Sequence, residues 1–136
     1  MAAAWVVATD TPPMEYEKTE ISGIPVFSPR GDLLGDRENQ NLHEEVLNTI
    51  QNEPAAVILN LADVRFMVSA ALGLMIGEYL QATENGVKLM LTNLQDRVRE
   101  LLYITRLDAY LKDYGTVEKA VAAATATDSV DNSTLE

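Results

Sequence analysis

Residues 55–61 form an apolar run that only Asn60 interrupts, and this run constrains the fold more than any other segment. Its length suits a strand. A strand without alternating polar residues is buried on both faces, as in a sheet flanked by helices. Before the run, Leu42, Val46 and Ile50 have the spacing of one face of an amphipathic helix. Strands and helices that alternate in this way predict an α/β domain with mostly parallel strands.

Two strands are predicted ahead of this helix. Residues 15–21 and 24–27 have strand-like patterns, and the Ser-Gly pair at residues 22–23 predicts a turn that joins them in a hairpin. Polar alternation makes the first strand a candidate edge strand. Pro25 and Pro29 favour a sheet edge or a strand end for the second strand, because proline cannot donate a hydrogen bond to a neighbouring strand.

Further elements follow from caps and apolar spacing. Asn39 or Asn41 is predicted to cap the first helix, Ser69 a second helix over residues 70–84, and Thr116 a last helix that ends near Ala124. The other predicted elements are a strand at residues 87–92, a helix at residues 96–105 and a short strand near Leu111. The predicted order is β-β-α-β-α-β-α-β-α.

Length and charge limit the possible functions. The 136 residues suffice for one domain that needs no metal or disulfide. We expect that domain at residues 15–125, between a flexible N-terminal arm at residues 1–14 and a flexible acidic C-terminal tail at residues 126–136. The net charge of −11 argues against a nucleic-acid partner. No apolar run is long enough to span a bilayer, and apolar residues 2–8 follow no basic residue, so we expect a cytoplasmic protein without membrane insertion.

Motifs of catalysis are mostly absent. The sequence has no cysteine, neither common phosphate-binding glycine motif, and a single histidine, His43. We therefore expect no metal site, because one histidine without any cysteine is a poor set of zinc ligands. A magnesium site made of carboxylates alone remains an open alternative. Asp32 and Asp36 come nearest to a pair of catalytic acids, although aspartates in loops more often form turns. A small carboxylate-dependent enzyme that uses Asp32, Asp36 and Ser69 remains one alternative hypothesis.

Ser69 has two interpretations. Its hydroxyl can cap the helix that follows. It can also be a regulated hydroxyl, since the free N–H groups and dipole of a helix N-terminus favour a phosphate there. Met67, Val68, Ala70 and Leu72 are apolar neighbours that an exposed switch surface would offer to a partner protein.

Several segments resemble STAS domains, specifically those of bacterial anti-sigma factor antagonists. In that family a buried strand leads to an Asp-Ser-[Ser/Thr]-Gly-Leu-Gly segment that opens a helix, and residues 57–73, with Val68-Ser69-Ala70-Ala71-Leu72-Gly73 at their end, are similar to it. Residues 85–94 resemble the next turn and strand, residues 97–102 with Leu107 resemble the next helix and its exit, and Gly31-Asp32-Leu33 resembles a Gly-Glu-Leu that ends an early strand. The resemblance covers roughly residues 20–124.

The sequence departs from the family pattern near the serine. Val68 stands where the family usually has aspartate, and Ala70 and Ala71 stand where it has Ser/Thr and glycine. Leu34 occupies the place of a second acid after the early strand, for which Asp36 is a candidate replacement. Loss of the acid beside the serine removes a charge from the surface that a kinase reads.

The resemblance implies a single STAS-like domain with a four- to five-stranded mixed sheet, about four helices, no cofactor and no enzymatic activity of its own. It also implies partner switching: the protein binds an anti-sigma factor that is a serine kinase, and a serine phosphatase reverses the phosphorylation. The matching serine is Ser69. The expected partner-binding residues are Met67, Val68, Ser69, Ala70, Ala71, Leu72, Asp32 and Asp36. We expect a monomer or weak dimer, and a STAS-like scaffold or accessory subunit of a transport or signalling complex is the alternative.

Overall fold

The computed structural model describes the backbone of residues 15–134 and the side chains of residues 15–126. The predicted arm at residues 1–14 lies outside the described residues. The strands are β1 (Glu15–Ile21), β2 (Ile24–Arg30), β3 (Ala56–Asn60) and β4 (Lys88–Thr92). The helices are α1 (Arg37–Gln51), α2 (Ser69–Glu84), α3 (Asp96–Ile104), a 3-10 turn (Leu107–Ala109) and α4 (Val117–Thr134).

The strands form one mixed sheet in the order β1-β2-β3-β4. β1 and β2 are antiparallel and make the predicted hairpin, in which Ser22 and Gly23 both have positive φ (53° and 80°). That combination fits the two-residue turn that matches strand twist. β2, β3 and β4 are mutually parallel, so their carboxyl ends meet at one edge of the sheet. We call this edge the carboxyl edge.

Of the two predicted positions for the prolines, the sheet edge is wrong, because β2 lies between β1 and β3. The strand end is confirmed, because Pro25 and Pro29 are the second and the second-last residues of β2. Its two prolines are tolerated because β3 pairs only with the middle of the strand, at Val26 and Phe27. Pro25 and Pro29 lie outside that short ladder and pair with β1 alone.

Both faces of the sheet are covered, as the apolar run predicts. Val57 and Leu59 of β3 join the larger cluster of buried side chains, which includes Val46 of α1, Leu72 of α2 and Val98 of α3. Alternate residues of β3 point the other way. These residues, Ala56 and Ile58, pack with Ala120 and Ala124 of α4 on the opposite face. The α/β class, the single mixed sheet and the flanking helices are therefore confirmed.

The predicted fifth strand is wrong. Leu111 is a buried core residue, 1% exposed, and the segment after it makes a single bridge to β4 rather than a strand. Leu91 donates its N–H to the Lys112 carbonyl at 3.1 Å and accepts from the Tyr114 N–H at 2.8 Å. Residues 112–114 thus lie along the outer side of β4.

The last helix is longer than predicted. Thr116 accepts a hydrogen bond from the Lys119 N–H at 3.1 Å, which confirms the predicted cap. The helix then runs to Thr134, well beyond the predicted end near Ala124, so the backbone of the expected tail is helical as far as it is described. Among residues 15–134, no helix is both long and apolar enough to cross a membrane.

Candidate functional site

Loops at the carboxyl edge continue the pairing of β2 and β3 beyond the ends of these strands. The Gly31 N–H donates to the Asp63 carbonyl at 3.1 Å, and the Leu33 N–H donates to the Phe66 carbonyl at 3.0 Å. The Val68 N–H returns a bond to the Leu33 carbonyl at 3.0 Å. These bonds hold the approach to α2 in an extended conformation beside residues 31–34.

Alternation along this extended pair decides which side chains are exposed. Leu33 and Met67 are bridge partners, point into the core and are each 3% exposed. Their neighbours point outward, since successive side chains of an extended chain alternate. Leu34 is 48% exposed and Phe66 is 39% exposed. The prediction that Met67 lies on the partner-binding surface is therefore wrong, and Phe66 is the outward residue of this loop.

Ser69 is the first residue of α2 and does not cap the helix, contrary to the prediction. The N-cap is Val68, whose φ of −95° and ψ of 168° suit that position but whose side chain has no oxygen to accept a bond. Ser69 is exposed, and among the described residues its hydroxyl has no hydrogen-bond partner. A free hydroxyl at the first turn of a helix is thus open to chemical modification.

The remaining predicted contact residues divide between surface and core. Ala70 is exposed next to Ser69, and Val68 is half-buried. Ala71 and Leu72 are 2% and 5% exposed, because the next part of the helical turn faces the core, so their prediction as contact residues is wrong. The exposed and half-buried group at the surface is called the Ser69 face, and it consists of Leu34, Phe66, Val68, Ser69 and Ala70. No sequence pattern indicated that Leu34 and Phe66 lie at the surface.

Gly35 holds the loop after β2 against the first turn of α2. A Cβ built on Gly35 would lie 2.7 Å from the Ala70 Cβ, and its φ of +71° also favours glycine. The Gly35 N–H donates to Asn39 Oδ1 at 2.9 Å. The loop is therefore fixed to the starts of both α1 and α2.

Asp36 is the N-cap of α1. Its Oδ1 accepts from the Asn39 N–H at 3.1 Å, so the prediction that Asn39 or Asn41 is the cap is wrong. Asp32 has a different partner, Arg65, at 3.9 Å. Because Asp36 is engaged in capping, the structure gives no support to a pair of catalytic acids. Among the described residues, no three His, Cys, Asp or Glu side chains gather closely enough to hold a metal ion.

Basic side chains border the Ser69 face. Arg97, from the first turn of α3, lies over the Phe66 ring with its guanidinium carbon 5.6 Å from the ring centroid. The Arg65 side chain is 77% exposed. A partner that approaches this face therefore meets apolar groups with cationic groups beside them.

Amide side chains fix the ends of the central strands below this face. Asn93 Nδ2 donates to Asn60 Oδ1 at 2.9 Å, and Asn60 Nδ2 donates to Ser28 Oγ at 3.2 Å. Gln95 Nε2 donates to the Ala62 carbonyl at 2.6 Å. The loops that carry the Ser69 face thus rest on a hydrogen-bonded base.

One buried polar pair joins α1 to α2. His43 Nδ1 lies 2.7 Å from Glu78 Oε2, and Glu78 is 5% exposed. Burial raises the pKa of the Glu78 carboxyl above its ordinary value of 4.5. The hydrogen bond to Glu78 raises the pKa of His43 above its ordinary value of 6.5. The pair fixes the packing of the helix that begins at Ser69.

The comparisons agree with this architecture. The family model of the STAS domain matches residues 15–120. An anti-sigma factor antagonist from Mycobacterium paratuberculosis is similar in structure, with a TM-score of 0.72 and 19% identity over 82% of this chain and 94% of that chain.

Two further solved structures are similar in fold to this chain. The Bacillus cell fate determinant SpoIIAA in its phosphorylated form has a TM-score of 0.64 and 19% identity over 79% of this chain and 96% of that chain. A sulfate transporter family protein from Wolinella succinogenes has a TM-score of 0.65 and 18% identity over 79% and 89% of the two chains. At these identities the likeness is one of fold.

Proposed function

Since the chain belongs to the STAS domain family, we propose that it is a partner-switching regulator. It binds an anti-sigma factor of the serine-kinase type and thereby controls transcription that depends on a sigma factor. It acts in the cytoplasm and has no catalytic activity of its own. The fold shared with an anti-sigma factor antagonist supports this proposal.

The observation that carries the proposal is the Ser69 face. Ser69 carries an exposed hydroxyl at the first residue of α2. The adjoining paired segments expose or half-expose the apolar side chains of Leu34, Phe66 and Val68. Apolar surface gives a partner protein an area to bury. The hydroxyl beside it gives a kinase a place to put a charge next to that area.

Phosphorylation of Ser69 switches the interaction off without unfolding the protein. A phosphate adds a charge of about −1.5 to −2. In the free protein that charge lies in water at a helix N-terminus, where free N–H groups and the dipole stabilise an anion. In the complex it would be desolvated against apolar groups, at a cost of several kcal/mol. A serine phosphatase restores the hydroxyl and with it the binding.

The test is the affinity of the full chain for candidate kinase-type anti-sigma factors from the same genome, measured by calorimetry. Wild type and Ser69→Ala are expected to bind equally well. Ser69→Glu is expected to bind about 100-fold more weakly, or worse, since each 1.4 kcal/mol is about tenfold. Thr19→Glu is the matched control, because Thr19 is exposed on β1 and the added charge is the same.

The outcome that contradicts the switch is equal weakening by Ser69→Glu and Thr19→Glu, or none by either. Phosphorylation itself is measured by incubation with the kinase and mass analysis of the peptide that contains Ser69. If the kinase modifies Val68→Asp but leaves wild type unmodified, the missing acid has removed the switch, and the chain is a constitutive binder.

A second candidate function is that of an accessory subunit of a transport or signalling complex. The observation that favours it is Val68, which puts an apolar side chain where a STAS phosphorylation segment usually has aspartate. A sulfate transporter family protein also shares the fold. Capture from native lysate separates the two functions: an accessory subunit is retained equally by wild type and Ser69→Glu, and a switch partner only by wild type.

A further inference from the structure

The Ser69 face exposes large apolar side chains, and the chain contains an apolar segment that fits them chemically. Leu34 is 48% exposed and Phe66 is 39% exposed. Residues 2–8 have no charged side chain and include Trp5, the only tryptophan. Leaving a tryptophan in water forgoes the burial of about 150–250 Å² of side-chain surface. Burial of Trp5 against Leu34 and Phe66 would therefore remove apolar area of both from water, which is favourable in free energy.

The course of β1 brings this segment to the correct edge of the sheet. β1 runs antiparallel to β2, and Glu15 pairs with Arg30, the last residue of β2. The chain before Glu15 therefore joins the sheet at the carboxyl edge. Loops at this edge carry the Ser69 face.

The segment is also long enough. From Glu15 through Arg30 and Leu33 to the Phe66 backbone, the distance is at most about 20 Å, given strand spacings of about 4.8 Å and the length of three extended residues. Ten residues separate Trp5 from Glu15 and span up to about 33 Å when extended. Trp5 can therefore reach Phe66 and Leu34 without strain.

We propose that the segment around Trp5 packs on Leu34 and Phe66 of the same molecule and covers the Ser69 face. The occupant is thus residues 5–7 of this chain, Trp5-Val6-Val7. The contact itself does not depend on the function of the protein. Its consequence, competition between the segment and a partner for the same face, rests on the proposed function.

Exposed apolar side chains elsewhere in the molecule supply the matched control. Leu80, Tyr103, Ile104 and Tyr110 are 55%, 71%, 66% and 56% exposed. They belong to the later part of α2, the end of α3 and the turn after it. Those positions are away from the carboxyl edge at which the chain enters β1, so the Ser69 face is the nearer site for residues 5–7.

Fluorescence of Trp5 tests the contact in the full chain, because no other tryptophan contributes. In the native wild-type protein, we expect emission shifted to the blue of that in the urea-unfolded chain, with weak quenching by acrylamide. Leu34→Ser with Phe66→Ser is expected to move the emission to the red and to raise quenching several-fold. Leu80→Ser with Tyr103→Ser removes comparable apolar surface and is expected to change neither. Each single variant is measured as well, and circular dichroism verifies that all are folded.

Three results would overturn the proposal. One is native emission equal to that of the unfolded chain. Another is a red shift caused by the Leu80 and Tyr103 pair instead, which would place Trp5 against those side chains. The third is a blue shift that disappears on dilution, which would make the occupant a second copy of the chain.

Partner affinity tests the consequence separately. If the segment competes with a partner, Trp5→Ser in the full chain binds the anti-sigma factor several-fold more tightly than wild type. If Trp5→Ser binds the anti-sigma factor no more tightly than wild type, and the fluorescence of wild type shows that Trp5 is buried, the competition is refuted but the contact is not. If no anti-sigma factor binds the chain, the proposed function is refuted. The fluorescence result would still test the contact between Trp5 and the Ser69 face.

Discussion

His43 and Glu78 make the packing of α1 against α2 depend on protonation. Burial is the main reason that the pKa of Glu78 is raised, and the hydrogen bond to Glu78 is the main reason that the pKa of His43 is raised. In both cases the folded protein holds a proton more firmly than the unfolded chain. Stability therefore falls as the pH rises through each raised pKa. For His43, the contribution is complete below 6.5 and is lost as the pH rises above that value.

We predict that the free energy of unfolding of wild type decreases as the pH rises above 6.5, through the raised pKa of His43. His43 is the only histidine, and the double variant His43→Gln with Glu78→Gln removes both titrating groups of the pair, so it is expected to abolish most of this slope. Glu78→Gln is the second control, because it keeps the size of the side chain and removes the charge that holds the proton on His43. Urea unfolding at a series of pH values measures all three. Parallel slopes for wild type and the double variant would show that the pair does not determine the pH dependence.

At the scale of the element, the start of α2 lacks a side-chain cap. Val68 occupies the N-cap with suitable backbone angles and no acceptor, and Ser69 stands one residue too late to supply one. The first N–H groups of the helix are therefore left to water or to a ligand. An aspartate in place of Val68 would accept hydrogen bonds from these N–H groups. It would also place a negative charge at the positive end of the helix dipole.

We predict that Val68→Asp stabilises the protein by about 0.5–2 kcal/mol, the usual value of a cap. Ser69→Ala is expected to change stability by less than about 0.5 kcal/mol, as is typical of a surface site without bonds. Chemical denaturation measures both. The opposite order, a neutral Val68→Asp and a costly Ser69→Ala, would restore Ser69 as the cap.

The local sequence located Ser69 at the start of α2 but not the surface around it. Whether Met67 or Phe66 points outward depends on the pairing of residues 66–68 with Leu33, which joins segments about thirty residues apart. An apolar side chain before a helix gives no sign of its direction until that pairing is known. Asp36 was missed as a cap for a related reason, since Asp36, Asn39 and Asn41 all have side chains that can cap a helix and the loop conformation selects Asp36.

At the scale of the whole molecule, the sequence predicted what the strongest patterns determine. The apolar run at residues 55–61 predicted β3, and its burial on both faces predicted helices on both sides of the sheet. Weak patterns failed. The segment near Leu111 has one buried apolar residue and makes a single bridge to β4. The sequence alone does not show whether such a segment pairs with β4 over a whole strand or at one residue.

Residues 15–125 are predicted to fold without the rest of the chain. The cluster that α4 contributes to the sheet uses Ala120 and Ala124, both within this range. A fragment of residues 15–125 is therefore expected to remain soluble and to unfold in one cooperative transition by urea denaturation. Fragment 15–115 is the contrasting control, because it lacks α4 and leaves one face of the sheet in water. A broad, non-cooperative transition of 15–125 would show that the removed residues are part of the folded core.

The two edges of the sheet are protected by different means, and this difference matters for association. Residues 112–114 cover the outer side of β4 at any pH, because their bonds to Leu91 are between backbone groups. Among residues 15–134, no segment pairs with the outer edge of β1. The strand carries the charged residues Glu15, Glu17, Lys18 and Glu20. Charged side chains keep an open strand from pairing with another molecule. Substitutions that remove these charges are therefore expected to make β1 the edge at which native molecules first pair with one another.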